Sequence, residues 1–223
     1  MPLRILTVHG AGLAQEVTVG AIERVQRTNL TNRKTTMTTQ LTTLNGLNLE
    51  QMEQTIGALT SDASLARFEF RASNRWLYGG HNRSTVQGFY GAGGEDSSRS
   101  EAFVLDNGEP PVLLGNNNGA NPVEYLLHAL AGCLTTTFVL HAAARGIRLH
   151  EVSTELAGDI DVLGLLDLDP SAVVGYEEIR IKMQVKADAS DEVIEDLIEF
   201  AKAHSPVCNT ICRPVSVNLS RQS

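Results

Sequence analysis

Residues 121–138 read NPVEYLLHALAGCLTTTF, and they open a stretch in which residues 125–144 contain no Asp, Glu, Lys or Arg. Asn121 is a good N-cap, Pro122 suits the first helical position, and Glu124 stands where a capping box wants a carboxylate. A helix running from there to about Arg145 would be about 36 Å long. It is apolar nearly all round, so it needs cover on most sides, and one sheet of this size covers a single face. A second subunit is the natural cover for the other face, which makes a homodimer the default expectation. The stretch is long enough to cross a bilayer. His128, His141 and the consecutive threonines, with polar and acidic flanks, favour a buried core helix over a membrane span. Cys133 lies in the middle, where alanine or leucine would pack as well, so the thiol itself needs a reason.

The flanking sequence sets the fold class. Upstream, LARFEFR (65–71) alternates apolar and polar residues, and RWLYGGHNRSTVQGFY (75–90) reads as two strands around a Gly-rich turn. AFVLD (102–106) and PVLL (111–114) suggest a further pair around Asn107-Gly108, and GNNNG (115–119) is a loop delivering the chain to the helix. Downstream, Arg145-Gly146 is a helix end. In YEEIRIKMQVKAD (176–188), Ile179, Ile181, Met183, Val185 and Ala187 face one way and Arg180, Lys182, Gln184 and Lys186 the other, the pattern of a half-buried strand. Ser190 caps a second helix with an apolar stripe of Val193, Leu197, Phe200 and Ala201, Pro206 ends it, and RPVSVNL (213–219) closes the chain as a last strand. Segregated runs of strands and helices of this kind indicate an α+β fold with antiparallel sheet, without internal repeat or domain linker.

The first part of the chain differs. Residues 28–43, TNLTNRKTTMTTQLTT, have few large apolar residues and should not contribute to a core. Residues 1–47 are expected to be a disordered or partly non-native leader, with translation naturally beginning at Met37. Asn48, with Gln51 as its capping partner, opens a short helix to about Leu59 within a segment spanning 48–64.

Composition narrows the function. The 223 residues carry a formal net charge of −8, which argues against unaided binding to nucleic acid or an anionic membrane. Three cysteines, Cys133, Cys208 and Cys212, are too few for a disulfide-stapled secreted scaffold. No basic cluster followed by an apolar segment marks a secretory signal, so a reducing, cytoplasmic compartment is expected.

PVEYLLHALAGC (122–133), the apolar helix followed by ARGI (144–147), and the amphipathic helix ending in HSPV (204–207) resemble the OsmC/Ohr family of osmotically inducible and organic hydroperoxide resistance proteins. The resemblance covers roughly residues 65–220, making 65–223 the OsmC-like domain. It implies antiparallel sheets packed around two long central helices in an intertwined homodimer. It also implies a cysteine peroxidase that reduces organic hydroperoxides or hydrogen peroxide and is recycled by a thiol or dithiol reductant. No cofactor or metal is expected.

By the same resemblance, Cys133 corresponds to the reactive cysteine. The family's second cysteine usually precedes the proline at the end of the second helix, but here Ser205 precedes Pro206, which leaves Cys208 as the expected resolving thiol and Cys212 as the alternative. Arg83, in GGHNRS, corresponds to the arginine that helps activate the thiol. Glu124 corresponds to the family's partner glutamate, although Val123 separates it from the proline it follows directly in the hydroperoxide-resistance branch.

The chemistry expected is attack of the Cys133 thiolate on an O–O bond, leaving a sulfenic acid that a second thiol condenses to a disulfide. Each residue also has a plainer reading. A cysteine on a buried helix packs as a small hydrophobe. Glu124 caps its helix, and about 13 Å of rise to Cys133 means that a catalytic role needs a partner subunit or a kink. Arg83 is then a surface turn residue, and His128 and His141 are hydrogen-bonded core or interface residues. His204, Cys208 and Cys212 have zinc-like spacing, but Pro206 breaks the helix and no fourth ligand is evident. The corresponding alternative function is a non-enzymatic dimeric module that binds a small apolar ligand between its helices, with Cys133 structural.

Overall fold

A computed structural model describes residues 43–221. The expected start at Met37 lies outside these residues. Ordered chain is already present at the end of the expected leader, where β1 (Thr43–Leu44) and β2 (Leu47–Asn48) form a hairpin. Asn45 and Gly46 turn it with φ of 52° and 80°, the left-handed pair a tight hairpin requires. The Asn45 amide donates to the Ile147 carbonyl and accepts from the Leu149 N–H, both at 2.9 Å, so the hairpin is stitched to the main domain. The Asn48 carboxamide oxygen then accepts from Gln51 N at 3.0 Å and opens α1 (Leu49–Ser61).

Two three-stranded antiparallel sheets follow. The first has the order β3 (Glu69–Phe70), β6 (Phe89–Gly91), β7 (Gly94–Asp96). The second has the order β4 (Ser73–Tyr78), β5 (His81–Val86), β8 (Phe103–Asn107), and its β4 carries Trp76 at 72% exposure. The expected pairing of 102–106 with 111–114 does not occur. β8 pairs with β5, while Pro111–Leu113 forms a 3-10 turn ending at Leu114 with φ 63°. Consecutive prolines at 110 and 111 remove the N–H donors that a ladder needs there.

A long antiparallel hairpin comes next, β9 (Leu149–Ile160) with β10 (Tyr176–Ala187), joined through α3 (Val162–Leu165). Its alternation sends Val152, Leu156, Ile179, Met183 and Val185 to one face, and helices cover that face. Those helices are α2 (Pro122–Ala144), α4 (Asp191–His204) and α5 (Pro206–Cys212). Phe138 and Ala142 of α2 lock against Leu197 and Ala201 of α4, and Leu130 and Leu134 of α2 against Cys208 of α5. The fold is thus α+β with antiparallel sheets.

Two expectations at the C-terminal end need correction. Pro206 ends α4 but also begins α5, because Ser-Pro supplies a cap and a first helical residue together. Residues 213–219 form no strand; Val215, Val217 and Leu219 are 57%, 85% and 98% exposed. Their alternation suits a strand, but no sheet edge among the described residues takes them.

Candidate functional site

The site is built along α2. Its opening is a complete capping box: Asn121 Oδ1 accepts from Glu124 N at 3.0 Å, and Glu124 Oε2 accepts from Asn121 N at 2.8 Å. The GNNNG loop places this cap against the end of β8, and a Cβ at Gly119 would run into the Asp106 carbonyl. Tyr125 Oη donates to that same carbonyl at 2.9 Å, pinning the first turn of α2 to β8.

Arg83 lies opposite Asp106 in the β5–β8 register and grips it with a fork, Nε to Oδ1 at 2.8 Å and Nη2 to Oδ2 at 3.0 Å. His81 Nε2 is 2.9 Å from the same Oδ1. The Arg83 and His81 hydrogen bonds hold the Asp106 carboxyl down at about 2. Within one chain, then, Arg83 is held on Asp106 of β8 and Glu124 in the cap of α2, and neither lines the cleft beside Cys133.

Cys133 is half-buried midway along α2, on the wall of a cleft of about 510 Å³. Gly132, Thr136, Thr137 and Leu140 extend the wall on the α2 side, and His204 and Pro206 form the other side. A Cβ at Gly132 would meet nothing within 4 Å, so this glycine keeps the cleft wide rather than relieving a clash. The Thr137 hydroxyl donates to its own helix, to the Cys133 carbonyl at 2.8 Å, and is not turned on the sulfur.

The polar partner of the sulfur is Ser205. Its Oγ donates to Cys133 Sγ at 3.1 Å and accepts from Cys208 N at 3.3 Å. Ser205 is completely buried, and one hydroxyl both caps α5 and addresses the thiol. Cys208 is buried against Leu130 and Leu134; burial pushes its thiol up, helped by Cys212 one turn along α5. Cys212 is exposed, and all three cysteines are free.

The imidazoles divide. His128 is exposed. His204 sends Nδ1–H to the Phe200 carbonyl at 2.8 Å and stacks on the Phe200 ring at 3.8 Å, rather than joining Cys208 and Cys212. His141 meets the Phe200 ring edge-on at 4.6 Å; burial, then His204 and Arg145, push its pKa below the ordinary histidine value. Sequence reasoning missed Ser205 as a working group, taking it for the loss of a thiol. The Ser-Pro pair after a helix was the available signal, since a cap directs its hydroxyl into the junction.

The family model described as OsmC-like protein matches residues 115–220. No curated protein matches the chain. Among solved structures, it is similar to an OsmC like protein from Mycoplasma pneumoniae, at 19% identity over 65% of this chain and 87% of that chain, with a TM-score of 0.49. It is also similar to a protein from Legionella pneumophila described as an organic hydroperoxide resistance protein OsmC, at 17% identity over 64% and 89% of the two chains, with a TM-score of 0.46. The segment matched by the OsmC-like family model carries Cys133, Ser205 and Cys208.

Proposed function

We propose that this chain is a thiol peroxidase that reduces hydroperoxides at Cys133 and is recycled by a thiol reductant in a reducing compartment. The observation that carries this reading is the pairing of a half-buried Cys133, open to a cleft of about 510 Å³, with a buried hydroxyl donating to its sulfur at 3.1 Å. A structural cysteine needs neither the opening nor the donor. In the reaction, the Cys133 thiolate attacks the terminal oxygen of the hydroperoxide and the O–O bond breaks. The electron pair leaves with the alkoxide, which takes a proton from water and departs as alcohol. Sulfur retains the hydroxyl as sulfenic acid. A donor already aimed at the sulfur stabilises charge there without reorganising.

The acting unit is a homodimer in this reading. Leu126 and Leu140 of α2 remain 37% and 41% exposed, β4 and β8 expose Trp76 and Phe103, and the strand-patterned 213–219 is unpaired. A second copy would cover such surfaces and is the route by which Arg83 or Glu124 would reach a Cys133 cleft. Cumene hydroperoxide consumption with a thiol reductant tests the function. Turnover lost in Cys133→Ser is the expected result. Consumption no faster than the protein-free background, in wild type and variant alike, would reject the peroxidase and favour the ligand-binding module.

A further inference from the structure

Of the chain's other thiols, Cys208 lies within electrostatic reach of Cys133 but is buried, and Cys212 is exposed. Cys208 is packed among Leu130, Leu134 and Ile211, and burial pushes its thiol above the ordinary cysteine range, which disfavours the thiolate. Its backbone N–H is tied to Ser205 Oγ, the atom that faces Cys133, so the serine hydroxyl stands at the junction through which Cys208 would have to advance. Cys212 is exposed one turn further along α5 and does not line the cleft. The cleft itself is open beside Cys133, and its lining contains His141 and His204 but no carboxylate.

We infer that the oxidised Cys133 is resolved by an external low-molecular-weight monothiol entering this cleft, and not by Cys208. The inference rests on the hydroperoxide-reducing reading and names its reductant class. The incoming thiolate attacks the sulfenic sulfur; the S–O bond breaks, an S–S bond forms, and the hydroxide released takes the thiol proton and leaves as water. A second thiolate attacks the external sulfur of the mixed disulfide, freeing Cys133 as thiolate and releasing the small disulfide. One hydroperoxide is thereby reduced to alcohol and water by two monothiols. The cleft lining holds no carboxylate, so a thiol that bears carboxylates meets no like charge on the walls themselves.

The test uses the full reduced chain, one equivalent of cumene hydroperoxide, then glutathione, with non-reducing peptide mapping before and after the glutathione step and a sulfenate trap in parallel. Expected are a trapped sulfenate at Cys133, then a Cys133–glutathione mixed disulfide, with Cys208 and Cys212 free throughout. The Cys208→Ser variant should give the same mixed disulfide. A Cys133–Cys208 bridge formed before glutathione is added overturns the inference and leaves the peroxidase standing. A Cys133 that stays a free thiol after hydroperoxide overturns both, which keeps the two failures distinct.

Discussion

Ser205 Oγ donates to Cys133 Sγ at 3.1 Å across a sequence separation of 72 residues, and no other side chain hydrogen-bonds this sulfur among the described residues. Ser205→Ala removes that donor and the α5 cap together. Stability should fall by about 1 to 2 kcal/mol, read by urea unfolding. Cumene hydroperoxide consumption should slow by about tenfold to a hundredfold. Lost stability with unchanged turnover would reduce Ser205 to a cap.

Ser205→Cys places a sulfur where the hydroxyl oxygen now lies 3.1 Å from Cys133 Sγ. Closing to a disulfide then needs a movement of only about 1 Å. The oxidised variant should form a bridge between positions 133 and 205, visible by non-reducing peptide mapping. Failure to bridge would mean that the α4–α5 junction is too rigid for that movement.

Gly132→Ala has room for its methyl group and improves helix propensity, so the protein should gain up to about 1 kcal/mol. The same methyl narrows the cleft beside the thiol. The ratio of kcat/KM for cumene hydroperoxide to that for hydrogen peroxide should therefore fall. An unaltered ratio would show that substrates arrive by another route.

Asp106 titrates at about 2 in the folded protein against 3.8 ordinarily, held down first by Arg83 and then by His81. A lowered folded-state value means that the unfolded chain takes up the proton first as pH falls. The stabilisation is complete above about pH 4 and is lost towards about pH 2. Urea midpoints measured across that window should drop more steeply for wild type than for Asp106→Asn. Parallel curves would indicate that the fork contributes nothing to folding.

Sedimentation at micromolar concentration should show a dimer, because α2 and the unpaired C-terminal segment expose apolar surface that a second copy would remove from water. A folded monomer would contradict the packing argument.

The parts of the fold that follow from local chemistry were legible in the sequence. The capping box at Asn121 and Glu124, the alternation of β10, and the Leu197–Ala201 stripe each declare themselves within a few residues. What local pattern could not reveal was choice of partner. β8 reads as half of a hairpin with 111–114 but finds β5 instead, and Arg83 reads as free for a thiol but is claimed by Asp106 directly across the ladder. Cys133 stood out by its position in an apolar helix, whereas the role of Ser205 required α4 and α5 to fold back onto α2. Position 205 was legible as a missing thiol and not as a hydroxyl with work of its own.

Trp76 is the chain's only tryptophan and lies 72% exposed on β4, its indole N–H held by the Gly79 carbonyl at 2.9 Å. The tryptophan fluorescence of this protein therefore originates on the sheet and not in the cleft. Emission should sit at the long wavelengths of a hydrated indole and move to shorter ones when another surface covers β4. Oxidation at Cys133 should leave it unchanged, giving an optical channel that separates association from redox chemistry in a single cuvette.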